Sequence, residues 1–96
     1  GTMSRVTLDF ARQFGRLARE LPSVSIADLA SMCRLKDRIG TLTYRETGGL
    51  TKRSQAILDN ARGRLEQLAA SCGFRVDFSN PYPTLYKGNQ HVDLPV

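Results

Sequence analysis

Ninety-six residues suit a single domain with one modest core, and 41% aliphatic and aromatic residues beside 24% charged ones place the chain away from disordered compositions. No apolar run approaches the roughly 18 residues of a bilayer span, and no continuous apolar stretch marks a signal peptide, so the expectation is a soluble, cytoplasmic protein without membrane contact. Fourteen Lys and Arg against nine Asp and Glu leave a net charge of +5, and most of the excess is local: residues 34–53, RLKDRIGTLTYRETGGLTKR, hold six basic and two acidic residues, a balance of +4.

Gly1 and Thr2 ahead of Met3 read as a remnant of expression, which leaves one domain over 3–96. From Ser4 to about Leu21, Val6, Phe10, Phe14, Leu17 and Leu21 recur every three or four positions and predict an amphipathic helix that Pro22 ends. Arg5, Asp9, Arg12, Arg16 and Arg19 form a mostly basic row on it. Leu8, Ala11, Gly15 and Ala18 form a row of mostly small side chains, suited to tight internal packing or to a homodimer seam. A second helix is announced by Ser25 as N-cap, Asp28 as capping-box partner, and Val24 with Leu29 as a hydrophobic staple. Ile26, Leu29, Ala30 and Cys33 then fall at core spacing.

The basic segment is ambiguous. Ile39, Thr41 and Thr43 alternate as in a strand, while Leu35, Ile39 and Leu42 keep helical spacing; Gly48 and Gly49 break whatever precedes them. It is therefore treated as a basic connector. The longest helix is predicted from Thr51 to about Ser71, with Ile57, Leu58, Ala61, Leu65, Leu68, Ala69 and Cys72 as its apolar set and Gly73 as terminator. Phe74, Val76 and Phe78 alternate like a strand, and Asn80-Pro81-Tyr82-Pro83 makes a connection. A two-residue turn at Gly88-Asn89 pairs Lys87 with Gln90, Tyr86 with His91 and Leu85 with Val92. The fold class expected is α+β, with two N-terminal helices and a long central one followed by a small antiparallel hairpin or meander.

This order resembles a winged helix-turn-helix in layout, not in residues. Leu29, Ala30 and Cys33 fit the first helix of that motif, but Arg34 stands where a turn glycine belongs, and Gly40 and Thr43 stand where a recognition helix has apolar anchors. In the variant with the helix from Thr51 near DNA, the Gly88-Asn89 hairpin becomes the wing, with Lys87 at its tip.

Cys33 and Cys72 sit at apolar helical positions, and with His91 they make three scattered groups without the close pairing of zinc sites. No metal and no cofactor is expected. The acidic residues are spread singly, so no general acid–base pair is legible and the chain reads as a binding domain, not an enzyme. Two basic clusters carry the functional expectation. Arg34, Lys36, Arg38, Arg45, Lys52 and Arg53, with Gly48 and Gly49 opening a helix N-terminus, suit phosphate oxygens, and Arg12, Arg16 and Arg19 add a secondary face. The partner expected first is nucleic acid, DNA in particular, bound in a regulatory role; the alternative is an adaptor or inhibitor that sets its basic face against an acidic protein.

Overall fold

The computed structural model describes residues 5–45 and 49–94, and the side chains of residues 12–44 and 49–94. Three helices, α1 (Arg5–Glu20), α2 (Ile26–Arg45) and α3 (Lys52–Ser71), precede three strands, β1 (Arg75–Asp77), β2 (Thr84–Lys87) and β3 (Gln90–Val92). The strands form an antiparallel meander in the order β1-β2-β3. This is the α+β arrangement expected from the periodicity.

The helix boundaries follow from local chemistry. Ser25 caps α2 by accepting the Asp28 amide at 3.1 Å, whereas the Asp28 carboxylate lies 3.9 Å from the Cys72 thiol, so its side chain ties α2 to the end of α3. Thr51 caps α3 by accepting the Ser54 amide at 3.1 Å. At the other end Gly73 adopts φ +83, its amide reaches the Ala70 carbonyl at 3.1 Å, and the Phe74 amide reaches that of Ala69 at 2.8 Å. That pair of bonds is a Schellman closure, and it turns the chain into the sheet with Phe74 buried.

The main correction concerns the basic segment. Residues 34–45 are no connector: they continue α2 without a break, so no turn separates Arg34 from the helix before it. Leu29, Met32, Cys33, Leu35 and Ile39 all bury on one stripe of this 20-residue helix, and that burial outweighs the β-branched residues at 39, 41 and 43. Ile26, expected inside, is 63% exposed at the start of the helix, and Met32, outside the expected apolar set, is fully buried.

α3 packs along α2 through Leu58, Ala61, Leu65 and Ala69. The sheet closes the core with Leu85 and Val92, and Leu17 and Val24 contribute from the N-terminal end. β3 pairs with β2 in the register read from the turn, Leu85 with Val92, Tyr86 with His91 and Lys87 with Gln90. Leu85 and Val92 thereby face inward, while the rings of Tyr86 and His91 meet on the other face at 5.8 Å.

The 80–83 connection docks on α2 at a glycine. A Cβ on Gly40 would overlap the Tyr82 ring at Cδ1, Cε1 and Cγ, and Pro83 beside it is fully buried. Gly40 thus tolerates its helix-interior position because Tyr82 occupies the space a side chain would take. Gly15 differs: the only atom within 4 Å of a Cβ there, among the described residues, is Nη1 of Arg19 at 3.7 Å. The upper part of the small-residue row, Leu8 and Ala11, lies outside the described side chains.

Candidate functional site: an arginine-lined cleft between two helices

Once residues 34–45 are helical, the basic segment divides by direction. Arg34 and Arg38 are four residues apart and share the exposed side of α2. Lys36 falls on the inner side instead: it is half buried and donates from Nζ to the Leu94 carbonyl at 3.0 Å. Burial pushes its pKa below the usual lysine value, opposed by the nearby Asp93 carboxylate. Lys36 therefore anchors the chain's last described residue to α2 and stands apart from Arg34 and Arg38. The same environment raises the Cys33 thiol, chiefly through burial, with Lys36 and Arg34 partly offsetting it.

The glycines and the mouth of α3 divide in a similar way. Gly48 and the side chain of Arg45 lie outside the described residues. Gly49 is exposed at φ +94, a left-handed conformation that accounts for a glycine there without any ligand. The Thr51 hydroxyl already occupies one of the free amides at the α3 N-terminus. Lys52 and Arg53 are both exposed, and successive helical positions diverge by about 100°, so they leave α3 in different directions. Arg53, Ile57 and Arg64 share one face of α3 by their i, i+4, i+11 spacing.

That face meets the Arg34–Arg38 side of α2 across an open cleft of about 680 Å³. Arg34 and Arg38 line it from α2 and Arg64 from α3. Between them Leu35, Leu42 and Ile57 form an apolar floor, and Asp37 is the one carboxylate in the lining. Ile57, expected in the core, is 38% exposed here because it sits at the edge of the α3 stripe. Arg34 donates to the Ser31 hydroxyl at 3.2 Å, an uncharged partner, while Arg38, Arg64 and Asp37 have no hydrogen bond or ion pair among the described residues. Arg64 went unnoticed in the sequence because it lies outside the basic run; its spacing from Arg53 and Ile57 was the available signal.

Other cations are already engaged. The Arg62 guanidinium lies over the Phe78 ring at 5.8 Å, and that of Arg75 over Tyr86 at 4.3 Å. Of the secondary face, Arg16 approaches Glu20 at 3.9 Å beside a second, smaller cavity of about 490 Å³ against β3. His91 and Asp93, 3.3 Å apart, line the same cavity, so Arg16 there faces two carboxylates, Glu20 and Asp93. Arg19 is exposed, with its guanidinium folded back near Gly15, and Arg12 is exposed on the same helix. The structure therefore brings Arg34 and Arg38 together with Arg64, and separates them from Lys36, Lys52 and the α1 arginines.

Among the described residues no helix is long and apolar enough to cross a membrane. Compared with protein-family models, curated proteins and solved structures, the chain matches none of them.

Proposed function

We propose that this chain is a small nucleic-acid-binding domain and that the cleft between α2 and α3 is its working surface. The observation that carries the proposal is the convergence of Arg34, Arg38 and Arg64, from two helices, on one cleft without a carboxylate paired to any of them. Arginines left unpaired beside one another repel, and a polyanion relieves that repulsion while releasing its own counterions. Arg53, on the same face of α3, extends the row. Binding of this kind is independent of sequence and suits a regulatory or accessory role.

Fluorescence anisotropy with a labelled oligonucleotide tests the reading. Four phosphate contacts give a salt slope of about −2.8 on a single strand, so affinity should fall about 50-fold between about 50 and 200 mM salt. Absence of binding at the lower salt would end the proposal. A pulldown from nuclease-treated lysate would then ask whether the same apolar floor and basic rim receive an acidic protein segment.

A further inference from the structure

We infer that the cleft takes a single strand with unpaired bases in preference to a duplex. This rests on the polyanion reading above and adds the class of nucleic acid. Two features of the lining and one beside it carry it.

The first is the floor. Leu35, Leu42 and Ile57 lie between the arginines of two helices, and Ile57 is one of only three large hydrophobic residues exposed among the described side chains. A duplex presents phosphates outward and keeps its bases stacked within, so it would touch the rim and leave the recessed apolar side chains unused. Bases of a single strand can turn onto such a floor while their phosphates reach the rim, and guanidinium planes offer further stacking surfaces.

The second is Asp37. A carboxylate inside a phosphate-binding cleft repels the backbone it would face. The pairing edge of an unpaired base carries amino or imino N–H donors, and a carboxylate accepts from them. In a duplex the pairing edge is occupied; in a single strand it is free. Asp37 has no partner among the described residues, so its acceptors are available.

The third is Tyr44, outside the lining. It follows Thr41 by three residues and Asp37 by seven, which sets it further along the same side of α2. It is 64% exposed, and its ring is steadied by that of Tyr82 at 5.5 Å. An exposed aromatic ring beside the Asp37 edge of the cleft offers a surface on which a base can stack.

The test compares one labelled strand of about 15 nucleotides, alone and as its duplex, by anisotropy at about 50 mM salt. The single strand should bind about 5-fold tighter or more, the worth of one stacked base. Equal or tighter duplex binding would overturn the inference and leave the polyanion reading standing; binding of neither would remove both. Ile57→Ser should weaken single-strand binding about 3- to 5-fold, since it removes the exposed remainder of one apolar side chain. The salt slope should not change, and Ile57→Leu should keep wild-type affinity. Full affinity in folded Ile57→Ser, or in Ile57→Thr should the serine variant unfold, would show that the floor is not used.

Discussion

Gly40→Ala reverses the usual effect of its own substitution. In an open helix interior, replacing glycine by alanine stabilises by about 1 kcal/mol, because the unfolded chain loses freedom and the helix gains a better former. At Gly40 the new methyl falls on the Tyr82 ring, and the overlap includes Cγ, close to the Tyr82 backbone, where the ring cannot swing clear. Pro83 is buried alongside and the Tyr44 ring lies tilted against that of Tyr82 at 5.5 Å, so the loop must lift or the helix must shift. Overpacking of this kind costs about 1–3 kcal/mol, and the lost ring contact places this site in the upper half of that range. The net expectation is destabilisation by about 1.5 kcal/mol, read by urea denaturation with an unchanged m-value, and a Tm lower by about 6–12 °C. A Tyr82→Ala background removes the obstacle, and there Gly40→Ala should stabilise by about 1 kcal/mol. If Gly40→Ala stabilises the wild-type protein, the docking of the 80–83 loop on α2 is refuted.

Two further expectations concern single side chains. Lys36→Met keeps the apolar stem and loses the bond to the Leu94 carbonyl, so stability should change by less than about 1.5 kcal/mol while oligonucleotide affinity and salt slope stay at wild-type values. Because burial lowers the Lys36 pKa, the unfolded chain holds this proton to higher pH than the folded one; stability therefore rises with pH over the alkaline window ending near 10.5, and the Met variant should lose that rise in a denaturation series. Asp77 accepts the Ser79 amide at 2.8 Å, which holds its carboxyl below the ordinary 3.8. Its contribution is present above that value and disappears as pH falls through the lower folded pKa, so Asp77→Asn should flatten the acid limb of stability against pH; an unchanged limb would deny the bond a role.

Much of the architecture was legible because it is written in local chemistry. Ser25, Thr51 and Gly73 bracket two helices through caps that depend only on neighbouring residues, and the Gly88-Asn89 turn sets the β2–β3 register by counting outward. What could not be read was settled by tertiary burial. Residues 39–43 carry both a strand pattern and a helical one, and the choice was made by Leu35 and Ile39 packing in a core whose other half lies on α3 and the sheet. The candidate site shifted for that same reason. On a loop the six cations of 34–53 form one island; on a helix they radiate, so Lys36 turns inward to Leu94 and Arg34 and Arg38 turn outward toward Arg64. Tyr82 and Gly40 are 42 residues apart, and no pattern in either segment announces their contact.

The most direct test of the arginine cleft is the salt slope of single-strand binding in Arg38→Gln/Arg64→Gln beside Lys36→Met. Losing two of four phosphate contacts should reduce the slope from about −2.8 to about −1.4, with the drop between about 50 and 200 mM salt shrinking from about 50-fold to about 7-fold. Lys36→Met should follow the wild-type line. A slope that persists in the double arginine variant, or that falls with Lys36→Met, would contradict the assignment of the cleft as the site.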